Sequence, residues 1–251
     1  MDHFAEDVRR LTSAGSVVEA WEVLTASLAR RGFPGLVYGL TPDRAGRSLG
    51  DPRDWVVLST LPDAYTDALI GEGHYHHTPM LHWVLESDGA CSWSWMAQRA
   101  ARRGFTRAEL RAIKLNRRHG LAAGLTISFP SSSARTKGAL AMMPSAGTSQ
   151  AGVDALWDQK GSLILPLCTI ADLKITTLPH AGARPLTARQ REVLEWVGDG
   201  KSAQDIAMLM GLTTATVEKH LRLARTALDA ETTVQAILKL ARQNQMFARL
   251  P

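Results

Sequence analysis

The sequence predicts an α+β protein: a larger α-β-α sandwich followed by a smaller all-α domain. Three observations carry this expectation. Over the first two-thirds of the 251 residues, helical spacing of apolar residues gives way to short β-type runs and then returns. From Leu186 to Leu228 only helical spacing is found, in three short capped segments. Between these regions, residues 174–185 hold two prolines and a glycine, which is linker composition. The expected division is a first domain over 1–173, a linker over 174–185 and a second domain over 186–251.

Taken in order, Phe4 to Ala14 and Val17 to Arg31 read as amphipathic helices, the second with Val18, Trp21, Leu24 and Leu28 on one face. Gly32 and Pro34 break the pattern, and residues 35–40 form a short apolar strand, followed by a polar loop over 41–54 and a second strand over 55–60. Leu61 to Ile70 and Met80 to Leu85 read as helices separated by a loop, and Cys91 to Trp95 as extended chain. Thr106 to His119 is a helix opened by a Thr-x-x-Glu capping box at Thr106 and Glu109. Leu125 to Phe129 and Ala139 to Met143 are apolar strands around a polar turn, read as a hairpin that ends a sheet of about five strands. Thr148 to Leu173 carries a long helical pattern with Val153, Leu156, Leu163, Leu167 and Ile170 on one stripe; Pro166 inside it is expected to kink or split the helix.

In the second domain, Thr187 and Gln190 have capping-box spacing, and Gly200 closes the helix they open. Ser202 and Asp205 start a second helix with Ile206, Ala207, Leu209 and Met210 on one stripe, closed by Gly211. Thr213 caps a third, in which Val217, Leu221, Ala224 and Leu228 face inward while Ala215, Glu218, Lys219 and Arg222 face outward. Two helices joined by a short glycine-containing turn, the second with a basic outer face, form a helix-turn-helix whose second helix enters the major groove. An ordinary bundle with a solvated charged face fits the helical spacing equally well.

Composition is globular, with 45% hydrophobic residues and a formal charge of +5. From Lys174 onward there are eleven Lys and Arg against seven Asp and Glu, so 11 − 7 = +4 of that charge lies where a phosphate backbone would meet it. No apolar run approaches a membrane span and the N-terminus has no signal core, so a cytoplasmic protein without membrane contact is expected. Cys91 and Cys168 are too few for a disulfide framework and are expected as reduced, buried thiols. His74, His76, His77 and His82 cluster, but no Cys or paired carboxylate has a matching spacing, so solvent-facing histidines are expected and no metal. Nucleophile-elbow, phosphate-loop and His-Glu-x-x-His motifs are absent from the sequence, which argues against an enzyme.

The stretch GKSAQDIAMLMGLTTATVEKHL, with Gly200, Lys201, Ile206, Ala207, Thr216, Val217, His220 and Leu221 in step, resembles the DNA-binding domain of LuxR-type transcription factors. Gln190 departs from it, standing where the family usually has Glu. The first domain then resembles the autoinducer-binding domain of LuxR-type quorum-sensing regulators, through LPDAY (61–65), HHTPMLHW (76–83), Trp93 and HGLAAGLTISFP (119–130). The resemblance places Trp93 beside a ligand head group, Pro79 on the Pro of an Asp-Pro pair, and Gly124 before a strand. It also marks three departures. Tyr65 replaces a Trp that donates to a lactone carbonyl, Leu69 replaces a Tyr, and Thr78 replaces an Asp that accepts from an acyl amide. A phenol can still donate, whereas Thr78 cannot match an ionised acceptor.

The ligand-binding candidates are therefore Tyr65, Leu69, Tyr75, Thr78, Trp83, Trp93, Gly124 and Ser128, around a mostly apolar pocket; for each Trp or Tyr, simple core filling is an equal reading, except that the pocket is favoured for Trp93. Glu218, Lys219 and Arg222 are the base-edge candidates, with Thr214, Thr216, Arg225 and Lys201 on phosphates. Val234, Ile237, Leu238 and Ala241 either supply a dimer contact or close the second domain's own core. The resemblance implies a homodimer on an inverted-repeat operator, with no cofactor beyond a small signal such as an acyl-homoserine lactone. A ligand-independent regulator, or an anti-activator that heterodimerises with another LuxR-type protein, is the alternative. A two-component response regulator would need a receiver pattern that the first half lacks.

Overall fold

The computed structural model describes residues 3–131, 133–179 and 186–247. The chain divides into two compact units, Met1–Thr176 and Thr177–Pro251.

The first unit is built on a five-stranded antiparallel sheet in the order β2-β1-β5-β4-β3, from β1 (Gly35–Thr41), β2 (Val56–Ser59), β3 (Gly89–Ser92), β4 (Leu125–Ser128) and β5 (Lys137–Met143). Register sorts the side chains between its two faces. Leu36 and Tyr38 lie opposite Met142 and Leu140, which lie opposite Leu125 and Ile127; all six are buried on one face. Helices α1 (Phe4–Ser13), α2 (Val17–Arg30) and α7 (Gln150–Thr177) form the layer on that face. Two bonds tie the layer together and to the sheet: the Lys174 amine donates to the Thr12 carbonyl, and the Tyr38 phenol to Asp172. The buried carboxylate of Asp7 joins α1 to α2 by accepting from Ser27, Arg30 and Arg31. Burial alone would raise its pKa, but those hydrogen bonds and the Arg30 charge hold it below the usual carboxylate range.

The other face carries Val37, Gly39, Val57, Cys91, Thr126, Ala139 and Ala141. It is covered by α3 (Asp63–Thr66), which runs on into a π turn over Asp67–Gly71, and by α4 (Pro79–Glu86), α5 (Ser94–Arg103) and α6 (Arg107–Arg118). Tyr65, Met80, Trp93, Leu121 and Met143 are the buried centre of that layer.

Several sequence expectations change. The hairpin of β4 and β5 lies inside the sheet instead of at its end, because β5 pairs with β1 as well as β4. Its strand is apolar on both faces, as a central strand requires. Pro166 does not divide α7. The carbonyl it leaves without a helical partner belongs to the exposed Ser162, where water can serve it. The buried stripe of α7 runs through Ile164, Leu167, Cys168, Ala171 and Ile175, so Leu163 and Ile170 sit at its margins. Residues 174–177, read as linker, are the last turn of α7; residues 180–185 lie outside the described residues. Helix α5 has no counterpart in the sequence reading: it buries no residue fully, so its apolar period is weak. It ends at Gly104, whose φ of +69° suits a residue without Cβ.

The second unit consists of α8 (Ala188–Gly198), α9 (Ala203–Met210), α10 (Thr214–Ala227) and α11 (Thr233–Arg242). Its core gathers Val193, Leu194, Ile206, Val217, Ala224 and Leu240, all fully buried. Leu209, read as part of the apolar stripe of α9, is 55% exposed, because the stripe centres on Ile206 and Ala207.

Candidate functional site

Small residues on the sheet make room for a cavity. Gly39 lies opposite Ala139 on one side and Val57 on the other, and a Cβ built on Gly39 would touch nothing within 4 Å. The open space is about 140 Å³, walled by Leu69, Ile70, Leu81 and Val84 from the helical layer. Trp55 and Tyr75 also line it, packed edge to face at 4.8 Å between ring centres. The Trp55 indole is anchored by donating to the Leu49 carbonyl at 2.7 Å. Burial, then the charge of Asp51, raises the Tyr75 phenol above its ordinary pKa, so it stays a neutral donor. The Thr78 hydroxyl, also in the wall, donates to the Tyr75 carbonyl at 2.9 Å. Lys137 is the cavity's basic residue, and its amine is held by Asp88 at 2.6 Å and the Phe129 carbonyl at 3.2 Å.

Of the eight ligand candidates, Leu69, Tyr75 and Thr78 thus meet in the cavity wall. Tyr65, Trp83 and Trp93 instead form the neighbouring apolar cluster, in which Leu69 also packs. The Tyr65 phenol donates to Asn116 at 3.0 Å, and burial pushes its pKa up to about 12. The Trp93 indole donates to Thr126 at 2.9 Å, and its backbone N–H to the Gly124 carbonyl at 3.1 Å. Gly124 acts through packing: a Cβ there would stand 2.8 Å from the Met142 carbonyl oxygen and 3.0 Å from the Trp93 ring. The Ser128 hydroxyl is spent on the Ser87 and Val84 carbonyls at 2.7 and 3.1 Å, closing the end of α4. Sequence reasoning missed Gly39, Trp55 and Ala139. The visible signal was a glycine between Tyr38 and Leu40 in an otherwise apolar strand, a mark of close approach or open space.

The histidines divide. His76 and His77 are exposed, whereas His74, 3.2 Å from the Glu72 carboxylate, and His82 on α4, 3.2 Å from an Arg99 nitrogen, are half-buried, so the expectation of solvent-facing histidines fails for these two. Among the described residues, no three His, Cys, Asp or Glu side chains converge as metal ligands. Cys168 is buried, but Cys91 is half-buried; burial pushes its thiol up to about 11, which keeps it protonated.

In the second unit, local capping builds a rigid frame for one outward-facing helix. Thr187 with Gln190 and Ser202 with Asp205 both close reciprocal capping boxes. The Ser202 hydroxyl and N–H bonds hold the Asp205 carboxyl below its usual range. Gly211 takes a left-handed φ of +65° between α9 and α10, and Thr213 caps α10 by accepting from the Thr216 N–H at 3.2 Å. Glu218, Lys219 and Arg222 are exposed on the outer face of α10 and make no ion pair among the described residues. Thr214 and Lys201 are exposed, while Arg225 and Thr216 are half-buried, the Thr216 hydroxyl 2.9 Å from that of Thr213. On α11, Ile237 packs against the core, but Val234, Leu238 and Ala241 are exposed, at spacings that put them on one face.

Residues 16–174 match the Autoinducer binding domain family, and residues 184–240 match the bacterial regulatory proteins of the luxR family. The chain belongs to the LuxR-type quorum-sensing regulators. The transcriptional activator protein SolR of Ralstonia nicotianae is 40% identical over 62 residues, which is 25% of this chain and spans only 26% of that protein. The transcriptional activator protein ExpR of Dickeya dadantii is 23% identical over 181 residues, 68% of this chain and 70% of its own. The crystal structure of Escherichia coli SdiA shares the fold with a TM-score of 0.53 at 15% identity, covering 98% of both chains.

Within a LuxR-type chain, the three departures acquire a geometry. Leu69 turns what the resemblance implies as a polar contact into cavity wall, Thr78 directs its hydroxyl to its own backbone turn, and Tyr65 donates sideways to Asn116. The two hydroxyls among these departures, those of Thr78 and Tyr65, thus donate within the protein.

Proposed function

We propose that this LuxR-type chain is a transcriptional regulator whose first unit binds a small, largely apolar signal in the cavity over Gly39. Its second unit binds an inverted-repeat DNA operator as a homodimer. The apolar cavity carries the reading: about 140 Å³ is close to the volume of a dry engineered cavity that holds benzene, so the buried part of the signal is small. The short or branched acyl chain of an acyl-homoserine lactone meets that limit, with the lactone ring outside the enclosed space and recognised by shape more than by a carboxylate. For DNA, Arg222, Lys219 and Glu218 reach base edges, while Lys201, Thr214, Thr216 and Arg225 hold phosphates. Val234, Leu238 and Ala241 supply the dimer contact of the second unit. The protein acts by binding, not catalysis, in the cytoplasm; no helix among the described residues is long and apolar enough to cross a membrane.

The test is native mass spectrometry of protein made with and without acyl-homoserine lactones of increasing chain length. Retention of short chains, with loss of binding on Leu69→Trp, supports the reading. A stable dimer that retains none of them and binds its operator unchanged would remove the signal-dependent half.

A further inference from the structure

The cavity over Gly39 has a direction, set by the register of β1 and β5. On the face it occupies, Val37 lies opposite Ala141, Gly39 opposite Ala139 and Thr41 opposite Lys137. Val37 and Ala141 pack against the cluster of Tyr65 and Trp93, where the family resemblance places a ligand head group. The pair of Thr41 and Lys137 is therefore the far end, four residues along β5 from Ala141, or about 13 Å. There the cavity is walled by Thr41, Leu49 and Lys137.

A lysine is an unexpected residue at the end of an apolar cavity. Only 8% of the Lys137 side chain is exposed, and burying an ammonium without partners is costly. Its three N–H donors meet three acceptors: Asp88 at 2.6 Å, the Phe129 carbonyl at 3.2 Å and the Ser87 carbonyl at 3.4 Å. The Thr41 hydroxyl is likewise spent, donating to the Leu49 carbonyl at 2.5 Å. On the other side of Lys137 lies a polar cleft, with Arg44, Glu86, Ser87, Asp88 and Thr136 in its wall. Among the described residues, Lys137 alone lines both spaces. Its amine is held by Ser87 and Asp88 of the cleft wall, so its methylenes are what it presents to the cavity. A long amphipathic side chain of this kind can divide an apolar space from a polar one.

We infer that Lys137 is the residue that limits the length of the signal: its stem is the end wall of the cavity, and Asp88 with the two carbonyls pins that wall in place. This rests on the reading of the cavity over Gly39 as the signal site, and narrows the signal to one with a compact, wholly apolar tail. A polar tail end would find the Lys137 and Thr41 donors already engaged. A longer tail would have to displace a paired ammonium and leave it and its acceptors unsatisfied. The charge anchors the stem, and the stem is the barrier.

Calorimetric titration of the full chain with the straight-chain series from 1-butanol to 1-dodecanol reads the length limit without assuming a head group. In the wild type, affinity is expected to rise with each added methylene and then to fall at least about tenfold at a cut-off length. Lys137→Ala, which removes three methylenes and the amine, should move that cut-off about four carbons longer. Lys137→Met keeps a stem without the charge and should hold the cut-off to within about one carbon. A wild-type affinity that rises through 1-dodecanol, an unmoved cut-off in Lys137→Ala, or a shift in Lys137→Met as large as that in Lys137→Ala overturns the inference. Should Lys137→Ala fail to fold, Lys137→Val, which suits a strand, carries the same test with a shift of about two carbons. N-acyl-homoserine lactones titrated in parallel separate the barrier from the reading beneath it. A moved alkanol cut-off with no lactone binding supports the barrier and removes the lactone, whereas no alkanol binding to any of the proteins overturns both.

Discussion

The phenol of Tyr38, at the centre of β1, donates a 2.8 Å hydrogen bond to the carboxylate of Asp172 on α7. Both groups are buried. Burial pushes the Asp172 pKa up from 3.8 to about 6, against the Tyr38 hydrogen bond and the Lys137 charge, which pull it down. The native state therefore holds this proton more tightly than the unfolded chain. Its contribution to stability is complete below about pH 4, is lost as pH rises to about 6, and is constant above that. Asp172→Asn keeps an acceptor for Tyr38 without the charge, and is expected to stabilise the protein at neutral pH by at most about 3 kcal/mol. Urea unfolding of both proteins at low and neutral pH checks this, and the difference between them isolates the group, since Asp7 is shifted the opposite way. Equal stability differences at both pH values would show that Asp172 does not titrate in this window.

Gly124 is required by the position of the Trp93 ring. Gly124→Ala would place a methyl 2.8 Å from the Met142 carbonyl oxygen, which is backbone and cannot turn aside. A loss of about 1 to 3 kcal/mol is expected, as for other overpacked sites, together with altered tryptophan emission. Denaturation followed by fluorescence measures both, and an unchanged midpoint would mean that β4 and β5 shift without strain.

On the reading helix, Arg222→Ala is expected to cost roughly 1 to 3 kcal/mol on the operator and to relax specificity, whereas Lys201→Ala should weaken all duplexes alike and lower the salt slope by about one. Thr213→Ala removes the cap of α10 and should cost about 1 kcal/mol of stability. Gel-shift competition against random DNA separates the first two, and an equal loss for Arg222→Ala on both duplexes makes Arg222 a phosphate contact.

Val234 and Leu238 are 68% and 50% exposed although both are large and apolar. Leu238→Glu is expected to weaken dimerisation at least about tenfold, more than 1 kcal/mol, with little change in melting temperature. Sedimentation equilibrium gives the first quantity and calorimetry the second. A lower melting temperature with no change in association would return α11 to a purely intradomain role.

The second unit was almost wholly legible in the sequence. Its helices are set by caps three residues from their partners, as with Ser202 and Asp205, and by apolar stripes within one helix, as with Val217, Leu221 and Ala224. Those are local interactions, and the one misplaced residue, Leu209, sits at the margin of such a stripe. The first unit was legible strand by strand, but not in its order. A hairpin of β4 and β5 looks the same in sequence at the edge or at the centre, and pairing with β1, about a hundred residues away, put it at the centre.

By itself, then, the sequence determined the helices and strands other than α5 and the last turn of α7, the family resemblance, and the outer face of α10, because these depend on periodicity and on contacts a few residues apart. Only the tertiary structure decided where space remains. The cavity over Gly39 exists because Val57, Gly39 and Ala139, on three different strands, fall in register. A second space, of about 280 Å³, opens where Trp93 of the turn after β3, Ile113 of α6 and Gln150 of α7 come together. A void is defined by what surrounds it, and its neighbours are set by long-range register, which no local pattern carries.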